Sequence, residues 1–234
     1  MPSRKFYLLF LMPLILLVCC KKEINPIVQV ASITVVNASP DNPQVVAVIS
    51  DTLVPFYRNT APIDYGSAQE YAYCAGKTPL ILTSSADTVN PFFRGDLDLK
   101  SGGTFSFFIA GELKDVDTLL LQDVLPTHQD SSGGVRFINL STNSQPMSVN
   151  LAGNDPSQTE FSGLAYKQAS SFKAYTSDLT TNSYTFEIRD QSSGNLLTTF
   201  YWTTTLRQNN TLVISGSEDP ASSTPIQVFQ VNHY

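Results

Sequence analysis

SYTFEIR, residues 183–189, carries the pattern on which the fold turns. Tyr184, Phe186 and Ile188 fall on one side of an extended chain, and Thr185, Glu187 and Arg189 on the other. Successive side chains of an extended backbone point to opposite faces, so this two-residue period marks a strand with one buried and one wetted face. LTTFYWTTT (197–205) alternates in the same way around Phe200 and Trp202. PIQVFQV (225–231) and ASITVVN (31–37) are equally rich in strand formers. Pro, Gly, Asn, Asp and Ser punctuate these runs, and no helical period persists beyond residue 30. Short, regularly spaced strands predict an all-β sandwich or barrel.

The strands come in two matching sets. SITVVNAS (32–39) returns as GVRFINLS (134–141), and VVAVISD (45–51) as MSVNLAG (147–153). IDYGSAQEYAY (63–73) returns as LAYKQASSFKAY (164–175), with Tyr65 opposite Tyr166 and Tyr71 opposite Phe172. LKSGGTFSFFIAG (99–111) returns as LRQNNTLVISG (206–216). The expectation is one β domain present twice, at 31–121 and 134–234, each of about 100 residues, a common domain size. A polar linker at 122–133, holding Pro126, joins them. Each set opens with a strand ending Asn-x-Ser, where the side chain of Asn37 or Asn139 is placed to cap a turn.

The front of the chain follows different rules. Arg4 and Lys5 precede an apolar run, FYLLFLMPLILLV, at positions 6–18. A bilayer-spanning helix needs roughly 20 residues, so this run is too short to span, and Pro13 would kink it. A charged start, a short apolar run and small residues form a signal peptide, here residues 1–19. Its end, Leu17-Val18-Cys19-Cys20, resembles a lipobox, the bacterial lipoprotein signal. Cys19 stands where Gly, Ala or Ser is usual; the other register would put the bulkier Val18 there. The resemblance implies lipid attachment at Cys20, with several acyl chains for stable anchoring. Residues 20–30 then read as a tether.

Removing residues 1–19 of 234 leaves 215, ample for a sizeable core, and takes the formal charge from −6 to −8. No basic cluster exists beyond Lys21-Lys22, which excludes nucleic acid as an expected partner. With Cys20 taken by lipid, Cys74 is the one cysteine in the folded part, so no internal disulfide is expected. Set in EYAYCAG between aromatics, it reads as a small buried side chain.

Catalytic and metal chemistry find little purchase. The two histidines, His128 in the linker and His233 one residue from the end, lie where chains are usually mobile, and no His/Cys cluster has ligand spacing. No nucleophile elbow, P-loop or dinucleotide fingerprint is present. The Asp pairs in GDLDL (95–99) and KDVDTL (114–119) share a strand face but lack the further ligands of a calcium loop. Arg94-Gly95-Asp96 reads as an ordinary turn. The reading is therefore no catalytic residue, no metal and no cofactor.

Three Asp-Thr-apolar triplets resemble an O-glycosylation motif of exported Bacteroidota proteins, making Thr52, Thr88 and Thr118 candidate acceptors on exposed turns. Tyr57, Tyr65, Tyr71, Tyr73, Phe92 and Phe93 cluster in the first set. They are either core and cross-strand pairs or, if exposed, a sugar- or protein-binding platform.

VVNASPDNP (35–43) and RFINLSTNSQPMSVNLAG (136–153) resemble the opening strands of a repeat domain common in Bacteroidota lipoproteins, a domain of unknown function of the DUF4397 type. Leu99-Lys100-Ser101-Gly102 keeps that family's Leu-x-x-Gly, whereas Leu206-Arg207-Gln208-Asn209 has lost the glycine. The resemblance implies two tandem Ig-like antiparallel β-sandwich domains on a lipid anchor, and no activity. The expected function is a non-catalytic cell-envelope lipoprotein, a binding, adhesion or spacer module with a protein or glycan ligand. The alternatives are a glycan-binding accessory of a polysaccharide-uptake system and a carboxylate-dependent hydrolase. With Lys21 and Lys22 ahead of Glu23, a periplasm-facing outer-membrane anchor is favoured over the cell surface.

Overall fold

The computed structural model describes residues 28–50, 60–112, 115–219 and 221–233. The signal segment, Cys20 and Thr52 lie outside the described residues. Among those described, every element is a strand.

The first eight strands are β1 (Val30–Asn37), β2 (Gln44–Val48), β3 (Ile63–Asp64), β4 (Ser67–Cys74), β5 (Gly76–Ser84), β6 (Phe93–Leu99), β7 (Thr104–Glu112) and β8 (Asp115–Gln122). They form two sheets, ordered β4-β1-β7-β8 and β3-β2-β5-β6. The next eight are β9 (Ser132–Asn139), β10 (Met147–Leu151), β11 (Thr159–Leu164), β12 (Lys173–Thr176), β13 (Ser183–Asp190), β14 (Leu196–Thr203), β15 (Asn209–Ser215) and β16 (Gln227–His233). Their sheets run β12-β9-β15-β16 and β11-β10-β13-β14, the same order strand for strand. The pairings are antiparallel except for β1 with β7 and β9 with β15, which run parallel. The all-β reading and the two sandwich units are therefore seen; the parallel pair in each unit was not legible in the sequence.

Alternation decides what each strand buries. SYTFEIR is β13, and Phe186 and Ile188 point into the second core beside Phe137, Val149, Trp202 and Leu212. The first core gathers Ile33, Val35, Val45, Leu80, Leu82 and Phe107 between its two sheets. In β1, β7, β9 and β15, however, both faces are covered. β7 sends Phe105, Phe107 and Ile109 into the first core, while Phe108 and Ala110 enter a separate apolar cluster with Val36, Ile138 and Val213. That third cluster lies between sheet β4-β1-β7-β8 and sheet β12-β9-β15-β16. The four sheets thus stack as layers with three buried seams, and in the strands buried on both sides adjacent apolar residues such as Val35-Val36 and Phe107-Phe108 enter different cores.

Asn37 and Asn139 do more than cap turns. Each side-chain oxygen accepts a hydrogen bond from the backbone N–H two residues on, Ser39 at 3.2 Å and Ser141 at 2.9 Å. Each amide also donates across the sandwich to a carbonyl on the facing sheet, Ile63 at 3.2 Å and Leu164 at 2.9 Å. A fully buried asparagine is tolerated because both halves of its amide are satisfied.

Two matching turns need a left-handed residue. Gly66 (φ 77°) and Lys167 (φ 63°) each give their N–H to the carbonyl of the capping asparagine, at 2.9 and 2.7 Å. Gly102 (φ 69°) and Arg207 (φ 62°) likewise donate to Val30 and Ser132. Arg207 therefore occupies the place of the lost glycine. Leu206 does not replace Leu99, which is buried in the first core; Leu206 is half exposed. Tyr71 and Phe172 also part company. Tyr71 packs against the first core, whereas Phe172 lies under the Arg136 guanidinium on the opposite face of its sheet.

Candidate functional site at the seam between the sandwiches

The middle seam is built from matching positions of the two units. Val36 and Ile138, Ala38 and Leu140, Phe108 and Val213 meet there, and all six are fully buried or within 1 % of it. Tyr65 packs edge-on against Phe229 and its hydroxyl lies 3.1 Å from Ser215 Oγ. Its counterpart Tyr166 donates to Asp117 at 3.2 Å, and Lys167 beside it reaches the same carboxylate at 2.9 Å. Burial pulls the Asp117 carboxyl upward, but the bonds from Lys167, Thr118 and Tyr166 outweigh it and hold the group below its ordinary range.

At one end the seam turns polar. Asp123, just past β8, is buried and accepts from Ser106 Oγ at 2.7 Å and from the Arg136 guanidinium. Arg136 comes from β9 of the other unit, so this ion pair crosses the seam. Its Nε donates to Thr211 Oγ1 at 2.8 Å, and Thr211 Oγ1 lies 2.7 Å from His233 Nε2. Arginine only donates, which leaves the Thr211 hydroxyl proton free for the lone pair of a neutral imidazole. Burial lowers the His233 pKa to about 4; Asp123 and Glu70 pull it upward, and Arg136 pushes it further down. His233 thus lies buried in β16 and hydrogen-bonded, rather than in a frayed end. His128 is held too, with Nε2 2.9 Å from Asn209 Oδ1. The connecting segment is fastened to the second unit, because Asn209 also donates to the Pro126 carbonyl at 2.8 Å.

Beside this network the seam opens. A trough of about 400 Å³ runs between β4 and the turn before it, at Gly66, Ser67 and Glu70, and β16, at Gln230 and Asn232. Past Thr34, Glu70 and Asn232 it meets a smaller, more enclosed hollow of about 170 Å³, whose walls include Ser32, Thr104, Leu125 and His233. A more apolar recess of about 340 Å³ lies at Ile49, Tyr71 and Tyr73, but Ser50 and Thr60 flank it and residues 51–59 are not described.

The other sequence candidates are scattered. Thr88 sits in the turn after β5, which Asp87 organises by accepting from the N–H groups of Val89 and Asn90. Thr118 is half-buried in β8 rather than on a turn. Arg94-Gly95-Asp96 lies within β6, not in a turn, and Asp96 pairs with Lys77 at 3.3 Å. Cys74 is exposed, contrary to the expectation of burial, because it ends β4, an edge strand that is exposed along most of its length. Phe92, Phe93 and Tyr71 pack against the first core and Tyr65 into the seam, so the described aromatics of the first unit do not assemble into one exposed platform. Glu218 is pushed upward by burial and then by Asp190, yet neither lines one of the cavities described above. Among the described residues no group of three or more His, Cys, Asp or Glu could hold a metal ion, and no helix is long and apolar enough to cross a membrane. The sequence did not single out Asp123, Arg136 and Glu70, which the fold brings to the polar part of the seam; the one local clue was a charged residue inside the otherwise apolar strand GVRFINLS.

These features define a double β-sandwich with a buried, partly polar seam between its units. Residues 31–150, from β1 to the end of β10, match the family described as "Domain of unknown function (DUF4397)", and the chain belongs to that family. No curated protein matches it. Among solved structures, it is similar to CBMbc (family CBM26) from Eubacterium rectale Amy13K in complex with maltoheptaose. Identity there is 11%, over 86% of this chain and 97% of that one, with a TM-score of 0.28. It is also similar to the fimbrial anchor protein Mfa2 from Porphyromonas gingivalis, at 10% identity over 87% and 98% of the two chains, TM-score 0.24. Both overlaps are loose, and the site stands on its own geometry.

Proposed function

We propose that this protein is a non-catalytic, lipid-anchored module of the bacterial cell envelope that serves as a binding or spacer element. The carrying observation is the third seam. A chain that only needed two independent sandwiches would leave the outer faces of β1, β7, β9 and β15 polar throughout; here Val36, Phe108, Ile138 and Val213 on those faces are fully buried in one shared apolar cluster. The joined stack is suited to holding a ligand surface at a fixed distance from an anchor. The two units are read as tandem copies of one family domain, bounded at 31–121 and 134–234, which the shared strand order and parallel pair support.

The anchor rests on the sequence at Leu17-Val18-Cys19-Cys20, with Cys20 as the lipid attachment point at the outer membrane, facing the periplasm. Expression in a lipoprotein-processing host with metabolic palmitate labelling tests it. Labelling should vanish in Cys20→Ser and persist in Cys19→Ser; the reverse result, or label in both, sinks the assignment. Protease shaving of intact cells tests the orientation: domain peptides in the supernatant would place the protein on the surface instead.

A further inference from the structure

The seam is built from matching positions, yet the two matching halves of its polar end are filled differently. Residue pairing along the strands places Thr34 in β1 opposite Glu70, and Ser106 in β7 opposite Leu121. In the second unit Arg136 takes the place of Thr34, Thr211 that of Ser106, and Phe172 that of Glu70. Arg136 extends across the seam, pairs with Asp123 and bonds Thr211 with its guanidinium over the Phe172 ring. At the matching place beside it, Thr34 is paired with Ser106 as Arg136 is with Thr211, and is too short to do this. What remains is the hollow of about 170 Å³ lined by Thr34, Glu70, Asn232 and His233.

We infer that this hollow is a binding site for a guanidinium or primary ammonium group, entering along the trough between β4 and β16. Glu70 stands at the junction of trough and hollow, with Oε1 accepting from Ser32 Oγ at 2.6 Å and its other oxygen accepting no hydrogen bond from the described residues. The hydroxyls of Ser32, Thr34 and Thr104 supply further acceptors, and among the described residues no lysine or arginine lines either space. An arginine fork suits a carboxylate flanked by hydroxyls because it donates several hydrogen bonds in one plane. The trough leads to solvent, so the cation belongs either to a small free amine or to a basic side chain of a partner protein. This site deepens the reading of the chain as a binding module and is independent of the anchor.

The test uses the full chain purified in detergent at low salt. Calorimetric titration is run with agmatine, with the peptide acetyl-Gly-Arg-Gly-amide, and with the same peptide carrying neutral citrulline. Binding of agmatine indicates a small-amine site; binding of the arginine peptide alone indicates a partner side chain. In either case Glu70→Gln should weaken binding at least about tenfold, the worth of one charge-assisted hydrogen bond. Thr34→Arg should abolish it by placing a guanidinium in the hollow, and Glu70→Gln keeps the test decisive if that variant fails to fold. Absence of binding by both cations, equal binding of citrulline, or unchanged affinity in Glu70→Gln overturns the site. Palmitate labelling is unaffected by any of these outcomes, so failure here is separable from failure of the anchor.

Discussion

Asp123, at the end of the first sandwich, and Arg136, in the opening strand of the second, form a buried ion pair with side chains 0 % and 7 % exposed. A buried pair is costly to break, because the survivor is left charged and dry. Asp123→Ala is expected to destabilise the protein by about 3–5 kcal/mol. Replacing both partners, as Asp123→Leu with Arg136→Met, should recover most of that loss. Urea unfolding of Asp123→Leu, Arg136→Met and the double checks it; additive losses would mean the pair is not coupled.

His233 gives the fold a pH dependence of defined sign. An unfolded histidine protonates near pH 6.5, whereas the buried one holds out to about 4. The folded pKa is the lower one, so the unfolded chain binds the extra proton between these values. Stability is therefore full above about pH 6.5 and is lost as pH falls toward 4, by on the order of 3 kcal/mol. His233→Gln should flatten that window. Melting temperatures at pH 7 and pH 5 for both proteins measure it, and an equal drop in the two would disprove the assignment.

Asn37 and Asn139 tie the two sheets of their sandwiches. Asn37→Ala and Asn139→Ala each leave buried backbone groups without partners and should cost about 1–3 kcal/mol. Denaturant midpoints read the loss, and no change in either variant would show that water replaces the amide.

Arg207 is exposed and carries φ 62° where the first unit has Gly102. A side chain in that conformation costs roughly 1–2 kcal/mol, offset in part by the unfolded-state freedom of glycine. Arg207→Gly should accordingly gain about 0.5–1 kcal/mol, while Gly102→Ala should lose a similar amount. Opposite signs in thermal unfolding are the expected outcome.

Much of this architecture is legible in the sequence. SYTFEIR announces β13 by its alternation, and the second appearance of SITVVNAS as GVRFINLS announces a second unit whose first strand matches β1. The apolar runs of β1 and β7 carry the seam in plain view, since Val35-Val36 and Phe107-Phe108 put large apolar groups on both faces. What local pattern withholds is pairing across distance. Arg136 alternates with Val135 and Phe137, which reads as a wetted face; only the neighbouring sheet turns that face inward. His233 stands next to the final residue, which reads as fraying, until its strand pairs with β15. Phe172 and Tyr71 align in the chain but face opposite ways, because the pairing of β9 with the chain before β12 shifts register between Ala169 and Lys173.

The mismatch between Arg136 and Thr34 has a wider meaning. A homodimer must present the same residue on both sides of its twofold axis, so an acid placed to meet an arginine appears twice and so does every gap. Two sandwiches carried on one polypeptide escape that rule. One half of their polar contact is free to specialise as a fastener, and its twin is released to become a socket.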